Sequence, residues 1–292
     1  MIADNTIGQR GEREVQYHHI EVKTNSPLKP KRFIGTALRG AFGHMLKARV
    51  CDQPHYDCDI CTAKENCLYN AWFDKTKDDY KPFRFDVDTH ANTYDFSLYL
   101  FKPCTEELRT IVDVLYDMLH RGVITEEKKL SFPHSEIYLN SQKLDFDRNT
   151  GAACAFDPTP LVMDTEQTFQ DVAIVLKSPL RLNNSKGAPV SDKPLERILL
   201  SIQKRKAFYE NRPFAHEDAH RPDATLLANG LKEVQTTRKS NAQSKRITTD
   251  ALLGRVVVTD LDEESFRLLK WGEIIGVGAK TTLGFGAIKL IY

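Results

Sequence analysis

The sequence predicts an α+β protein built from two tandem ferredoxin-like (RRM-like, β-α-β-β-α-β) domains, with a C-terminal glycine-rich loop. Three observations carry this prediction. Segments of helical and strand periodicity follow one another in the same order in both halves of the 292-residue chain. Residues 157–167, rich in Pro, Asp and Thr, separate the two halves. Four regularly spaced glycines stand close to the C-terminal end of the sequence.

In the first half, five segments carry apolar residues with a period of either two or 3.6 residues. They predict strands at 17–24, 94–101 and 135–146, and helices at 35–50 and 106–119. Gly122 follows the second helix and is a stop signal for it. We therefore expect a first domain over residues 1–165, with a cysteine cluster inserted in it.

The second half repeats the same order and is expected to form a domain over residues 166–292. Its periodic segments predict strands at 172–182, 234–239, 246–259 and 285–292, and helices at 195–209 and 262–275. Residues 211–230 are polar and predict a long loop or a partial helix.

The composition is that of a globular protein, with 41% hydrophobic and 28% charged residues. No apolar run is long enough to span a bilayer, and the polar N-terminus does not resemble a secretory signal. We expect a cytoplasmic protein with no membrane contact. Six cysteines are too few for a disulfide scaffold in a chain of this length.

Positive charge is concentrated in two stretches, although the net charge is only +1. Residues 22–50 hold seven basic and no acidic side chains, and residues 232–246 hold five basic side chains against Glu233 alone. Two such stretches on an otherwise neutral protein indicate a polyanion-binding face. Solvated basic loops remain the alternative.

A glycine-rich loop occupies residues 276–286, where Gly276, Gly278, Gly284 and Gly286 surround Lys280. Glycines allow the backbone to approach a phosphate closely, and the loop adds one charge and the hydroxyls of Thr281 and Thr282. It is not a Walker phosphate loop, because Ala279 precedes the lysine and the loop follows a helix. A turn that only closes a sheet is the alternative.

Several segments together resemble the RAMP superfamily, and in particular the Cas-six endoribonucleases that process precursor CRISPR RNA. The segments are the loop 276–286, the stretch 238–246 (RKSNAQSKR) with Leu253 and Gly254 after it, 176–181 (LKSPLR), 38–44 (LRGAFGH) and the cysteine cluster. The resemblance touches both halves of the chain. It implies an RNA-cutting enzyme that binds CRISPR repeat RNA and works beside other effector subunits.

The expected RNA-binding residues are the basic side chains of the two stretches and the members of the glycine loop. They are Lys31, Arg32, Arg238, Lys239, Lys245, Arg246, Gly276, Gly278, Lys280, Thr281, Gly284 and Gly286. These groups would contact phosphates, so that binding weakens with salt.

His44 is the candidate catalytic residue, since it lies on the first predicted helix within the acid-free stretch. RNA is cut without metal when its own 2′-hydroxyl attacks the neighbouring phosphate, and histidine can transfer the protons. Lys47 and Arg39 lie three and five positions away and supply charge. The resembling family commonly places its catalytic histidine on this helix. A structural histidine is the alternative.

His18, His19 and Tyr17, on the first predicted strand, are weaker candidates for a second catalytic group.

Cys51, Cys58, Cys61 and Cys67 form a C-x6-C-x2-C-x5-C cluster that suits a tetrahedral thiolate site. We expect a structural zinc, with an iron–sulfur cluster less favoured and with disulfides or free thiols as the remaining alternatives. No cofactor is expected for catalysis.

Residues 216–220 match the zinc-protease motif H-E-x-x-H, but Pro213 and Pro222 flank them and no apolar face accompanies them. A polar surface loop is the favoured interpretation.

Two further functions fit parts of the sequence. A non-catalytic RAMP subunit that only grips guide RNA would show the same binding without cleavage. A metal-dependent regulator of duplex DNA would need a recognition helix, and none is evident.

Overall fold

The computed structural model describes residues 14–30, 33–53, 56–73, 80–101, 107–125, 128–147, 149–165, 167–182, 193–240 and 245–292. The helices in these ranges are α1 (Gly35–Val50), α2 (Leu68–Phe73), α3 (Leu108–Arg121), α4 (Pro194–Tyr209) and α5 (Glu263–Ile275). The strands are β1 (Gln16–Lys23), β2 (Phe83–Val87), β3 (Phe96–Phe101), β4 (Val123–Ile124), β5 (Lys129–Leu130), β6 (Glu136–Leu139), β7 (Gln142–Lys143), β8 (Leu161–Val162), β9 (Val172–Leu176), β10 (Thr225–Asn229), β11 (Lys232–Ser240), β12 (Lys245–Leu253), β13 (Arg255–Thr259) and β14 (Ile288–Ile291).

The N-terminal half folds as a four-stranded antiparallel sheet covered by two helices. Strand order is β2-β3-β1-β6, with β7 beyond β6 and the short β8 beside the start of β1. α1 connects β1 to β2 and α3 connects β3 to β6, which is the ferredoxin-like arrangement. Alternate residues of the sheet, such as Ile20 and Leu98, share a core with Phe42 of α1 and Leu115 of α3.

The C-terminal half repeats this topology with strand order β10-β13-β9-β14 and with helices α4 and α5. Ile174 of β9, Ile202 of α4 and Leu269 of α5 belong to its core. A separate hairpin, β11–β12, is inserted between β10 and β13. The prediction of two tandem ferredoxin-like units is therefore confirmed.

Several predicted boundaries differ from the structure. The strand predicted at 246–259 is broken at Gly254, whose φ is +125° and whose position cannot hold a Cβ because the Gly230 carbonyl oxygen would lie 2.2 Å away. The strand predicted at 172–182 ends at Leu176, and only the Leu180 bridge to Leu252 follows it. The strand predicted at 135–146 turns back after Leu139.

Five strands have no counterpart among the predicted ones: the two-residue strands β4, β5 and β8, and the longer strands β2 and β10. β10 lies within the segment predicted as loop or partial helix, and all five of its residues are exposed, so no alternation marks it. β2 has the sequence Phe-Arg-Phe-Asp-Val, which alternates apolar and charged residues, yet it is buried at every position because each half of the chain covers one of its faces.

Arg84 and Asp86 point away from the N-terminal core and reach the C-terminal half. Arg84 donates from Nε to the carbonyl oxygen of Ile274 and from Nη2 to that of Glu273, both at 2.6 Å. Nη2 also contacts Asp86 at 2.6 Å, and Asp86 accepts from Lys177 at 2.5 Å. Burial alone would raise the pKa of Asp86, but the charges and hydrogen bonds of Arg84 and Lys177 hold that pKa below its ordinary value.

Glu273 and Ile274, which accept from Arg84, lie at the C-terminal end of α5. Arg205 of α4 donates hydrogen bonds to carbonyl oxygens at the same helix end. Its Nη1 donates to the carbonyl oxygens of Ile275 at 3.0 Å and Gly276 at 2.5 Å, and its Nη2 donates to that of Gly278. The last carbonyls of a helix have no partner within the helix. Two buried guanidinium groups therefore satisfy the C-terminal end of α5, and the contacts of Arg84 join the two halves.

We predict that Arg84→Ala destabilises the protein by roughly 3–5 kcal/mol. The substitution removes the hydrogen-bond donor of the Glu273 and Ile274 carbonyl oxygens and one of the two cations that pair with Asp86. Urea unfolding followed by tryptophan fluorescence tests this, because Trp72 is buried in the N-terminal core and Trp271 is buried on α5. Arg267→Ala, which breaks only an exposed pair with Glu263, is the control and should cost less than about 0.5 kcal/mol. Equal unfolding midpoints for the two variants would contradict the prediction.

Candidate functional site

The glycine loop connects α5 to β14, and its glycines are required by the packing of the loop itself. Gly276, Gly278, Gly284 and Gly286 all have φ between +70° and +80°, a region that side chains disfavour. A Cβ on Gly286 would lie 1.8 Å from the carbonyl oxygen of Val277. Gly276, Gly284 and Gly286 are buried, as is Thr281. The surface of the loop is formed instead by Ala279, which is exposed, and by the half-exposed Lys280 and Thr282.

The loop lies against the beginning of α1. A Cβ on Gly35, the first residue of that helix, would stand 2.2 Å from the carbonyl oxygen of Leu283. The rings of Phe33 and Phe285 meet edge to face, with centroids 5.2 Å apart. The helix that carries His44 is thus positioned by the loop that the sequence predicts to bind RNA.

The same loop contacts the β11–β12 hairpin, where Lys280 donates from Nζ to Thr249 Oγ1 at 2.9 Å. In the hairpin register Arg238 faces Ile247, Lys239 faces Arg246 and Ser240 faces Lys245. The backbones of the four predicted basic residues 238, 239, 245 and 246 therefore lie together at one end of the hairpin. Lys31 and Arg32 lie outside the described residues.

A cleft of about 250 Å³ lies where the hairpin, β2 and the segment before α1 meet. Its apolar wall includes Phe33, Val87 and Pro179, and Gln235 and Thr236 of the hairpin contribute polar groups. The cleft brings residues of both halves of the chain and of the hairpin to one place.

His44 is exposed on the solvent side of α1. Its neighbours one turn away on the same face are Gly40 and Ala48, both exposed, and a Cβ built on Gly40 meets nothing within 4 Å. From the described part of the chain, no hydrogen bond or ion pair reaches the His44 ring. The ring is therefore accessible. A bulky substrate can approach along the exposed stripe of α1, which consists of Gly40, His44 and Ala48.

The two other predicted catalytic residues contact α2 and the cysteine segment that precedes it. Lys47 donates from Nζ to the carbonyl oxygen of Tyr56 at 2.7 Å, and the Arg39 guanidinium lies 4.6 Å from the Phe73 ring centroid. Burial would lower the pKa of Lys47, but its hydrogen bond to the Cys58 thiol and nearby groups raise that pKa above the ordinary value. Lys47 thus keeps its positive charge at neutral pH.

His18, His19 and Tyr17 belong to the sheet and not to the exposed stripe of α1. His19 stacks on Tyr99 at 4.5 Å and shares a hydrogen bond with Ser97 Oγ at 2.9 Å. Burial lowers the pKa of His19 to about 4, an effect that the Asp86 charge only partly opposes. His18 is fully buried beside Asn140, and burial lowers its pKa as well. Burial raises the pKa of Tyr17.

The four cysteines are half-exposed free thiols. Within the described ranges, no group of three or more His, Cys, Asp or Glu side chains converges as a metal site requires. The structure does not bring the four thiols together, and the structural zinc stays a prediction.

The H-E-x-x-H motif at 216–220 lies in an irregular loop and not on a helix, as its flanking prolines indicate. The His220 side chain contacts Ser265 Oγ at 2.9 Å and Asp262 at 3.0 Å, next to the start of α5. Asp262 also caps that helix by accepting from the Ser265 backbone N–H.

Among the described residues, no helix is long and apolar enough to cross a membrane.

Comparison with known families divides the chain into two matched regions. Residues 158–288 match the family model of the CRISPR-associated endoribonuclease Cas6. Residues 14–143 match a second model, which is described as an N-terminal domain.

Relatives of the whole chain agree with these matches. An uncharacterised protein of Archaeoglobus fulgidus is 21% identical over 277 residues, which is 88% of this chain and 91% of that protein. A Cas6 product complex superposes with a TM-score of 0.55 at 14% identity, covering 95% of this chain and 99% of that one. Cas6b superposes with a TM-score of 0.51 at 12% identity, over 96% and 100% of the two chains. At such identities the structural likeness shows a shared fold.

We predict opposite effects for two glycine-to-alanine changes. Gly286→Ala should destabilise the protein by at least about 2 kcal/mol, because it adds left-handed strain and a clash with Val277. Gly40→Ala, in the exposed stripe of α1, should stabilise the protein by roughly 0.5–1 kcal/mol, because alanine has a higher helix propensity than glycine. Denaturant unfolding measures both, and equal effects would show that the loop tolerates a side chain.

We also predict a pH dependence from His19. Since its folded pKa of about 4 lies below the ordinary value of 6.5, the unfolded chain binds a proton that the folded protein excludes. Stability should therefore fall as pH drops from 6.5 towards 4, with roughly 2 kcal/mol lost by pH 5. His19→Gln should remove this loss, whereas His90→Gln, at an exposed position, should retain it. The same acid dependence in all three proteins would contradict the assignment.

Proposed function

We propose that this chain, whose residues 158–288 match the family model of the CRISPR-associated endoribonuclease Cas6, cleaves precursor CRISPR RNA within its repeats. The observation that carries the proposal is the placement of His44. It is an exposed, accessible histidine on a helix without acidic residues, and that helix begins against the glycine loop, whose Lys280 contacts the β11–β12 hairpin.

The proposed chemistry uses the RNA's own 2′-hydroxyl. A base removes the 2′-hydroxyl proton and the oxygen attacks the adjacent phosphorus. The bond from phosphorus to the 5′-oxygen of the next nucleotide breaks, and that oxygen takes up a proton from an acid. The products are a 2′,3′-cyclic phosphate and a 5′-hydroxyl. His44 transfers a proton in this step, since the charge of imidazole changes near neutral pH. The chemistry requires no metal ion.

Positive charge near His44 stabilises the crowded phosphorane. Lys47 lies three residues away on α1 and keeps its charge, and Arg39 lies five residues away on the same helix. We propose that Lys47 supplies the nearer charge and Arg39 the more distant one.

RNA contacts are proposed for the two basic stretches and the surface of the glycine loop. Arg238, Lys239, Lys245 and Arg246 lie at one end of the hairpin, and Lys280 links the loop to that hairpin. With Lys31 and Arg32 they would contact phosphates, whereas the glycines and Thr281 shape the loop that presents Lys280. Affinity should therefore fall as salt rises. Assembly with other effector subunits is part of the same proposal.

We predict that the wild type cuts a labelled repeat RNA at one site in excess EDTA, and that His44→Ala cuts it at least about a hundredfold more slowly. Replacing the sugar at the cut by a 2′-deoxy sugar should abolish cleavage, because the nucleophile is then missing. Single-turnover rates measured on gels test both statements. His134→Ala, which removes another exposed histidine, is the matched control and should cut at the wild-type rate.

Each outcome has a distinct meaning. Tight binding without cleavage by the wild type would leave a guide-RNA-binding subunit. Cleavage by His44→Ala at the wild-type rate would remove His44 from the mechanism and leave the family assignment standing.

A further inference from the structure

A continuous stack of rings and cations runs along the side of α1 that faces α2, and its member Lys47 lies three residues from His44 on that helix. We call it the aromatic ladder, and its members in spatial order are Arg39, Phe73, Tyr69, Lys47 and Tyr56. The Arg39 guanidinium lies 4.6 Å from the Phe73 ring centroid, and Phe73 stacks on Tyr69 at 5.1 Å with 5° between the planes. Lys47 Nζ lies 5.4 Å from the Tyr69 centroid and 5.3 Å from that of Tyr56.

Tyr56 ends the ladder and is held there by two reciprocal hydrogen bonds. Lys47 Nζ donates to the Tyr56 carbonyl oxygen at 2.7 Å, and the Tyr56 hydroxyl donates to the Lys47 carbonyl oxygen at 3.5 Å. The backbone of Tyr56 adopts a left-handed φ of 54°, which is unfavourable for a residue with a side chain. Local strain of this kind persists only where surrounding contacts impose it, and it concentrates at functional sites.

The Tyr56 side chain is nevertheless not part of a core, since the residue is 45% exposed. A rigid, exposed aromatic ring beside a lysine is the arrangement with which proteins bind unpaired nucleobases. Every base has a π-face that stacks on such a ring, and fixing the ring in advance reduces the entropy lost on binding.

We infer that the aromatic ladder is a stacking subsite and that Tyr56 receives one unpaired base of the RNA close to the cut. The inference rests on the proposed function, because His44 defines where the scissile phosphate lies. Lys47 connects the two features, since it lies three residues from His44 on α1 and contacts both Tyr56 and Tyr69. Tyr56 is then a binding residue, and Lys47 positions it.

The subsite explains what the segment between α1 and α2 contributes. A single-stranded RNA held only by phosphate contacts can slide along a basic surface, because those contacts carry no positional information. One base stacked on Tyr56 would fix the register of the strand relative to His44. The ladder therefore selects which phosphate is cut.

The test combines a protein change with an RNA change. The ligand is a repeat RNA with a 2′-deoxy sugar at the cut, so that dissociation constants are measured without cleavage. Tyr56→Leu should weaken binding about tenfold, and Tyr56→Phe, which keeps the ring, should stay within about twofold of the wild type. Tyr292→Leu, at another exposed aromatic residue, is the control and should bind as the wild type does.

The RNA change is an abasic nucleotide, moved in turn through the unpaired positions that flank the cut. At one position it should weaken wild-type binding about tenfold and cause no further loss in Tyr56→Leu, since both changes remove the same stacked pair. A 2-aminopurine at that position should lose fluorescence when it binds the wild type. This last measurement does not depend on how any variant folds.

The inference is overturned if Tyr56→Leu binds within twofold of the wild type, if the losses from the two changes multiply, or if 2-aminopurine is quenched at no position near the cut. In each case His44-dependent cleavage by the wild type would show that the proposed function still stands. Absence of any repeat binding by the wild type would overturn both.

Discussion

The C-terminal end of α5 is the constraint on which the rest of the structure depends. Five carbonyl oxygens there accept hydrogen bonds from two buried arginines, Arg84 of the N-terminal sheet and Arg205 of α4. A buried carbonyl without a donor and a buried guanidinium without acceptors would each be costly, so neither side of this contact can be removed alone. The two ferredoxin-like halves are consequently joined through hydrogen bonds of fixed geometry, in addition to apolar packing.

This junction determines where the functional elements lie. The glycine loop begins at the end of α5, and its buried turns pass between Arg205 and the first residue of α1. Because α1 starts against that loop, the position of His44 follows from the position of α5. Lys280 then attaches the hairpin to the same loop. The proposed catalytic residue His44 and the proposed RNA-binding hairpin are therefore both positioned by the glycine loop, although they belong to different halves of the chain.

Elements with a strong local signal were predictable, and elements that depend on distant partners were not. α3 has a continuous apolar face and ends at Gly122, whose φ is +97°. Residues near one another in sequence therefore determine both the existence of this helix and its end. β10 has no buried residue, and its sequence does not alternate. β2 alternates apolar and charged residues, but its charged face is buried by groups of the C-terminal half, and no local pattern indicates that burial. At Gly254 the close approach of Gly230 breaks a strand that is periodic in sequence.

The sequence by itself determined the order of the main helices, the two-unit fold and the place of a histidine on an acid-free helix, because periodicity and local charge are properties of neighbouring residues. Only the tertiary structure decided what the surrounding residues do. The glycines of the loop serve its packing, and Lys47 and Arg39 turn towards the rings of α2 and the segment before it. Side-chain direction and contact distance depend on groups far apart in the chain, and no local spacing encodes them. For the same reason no sequence pattern indicates Tyr56, which the fold holds at the end of the aromatic ladder through its contacts with Lys47.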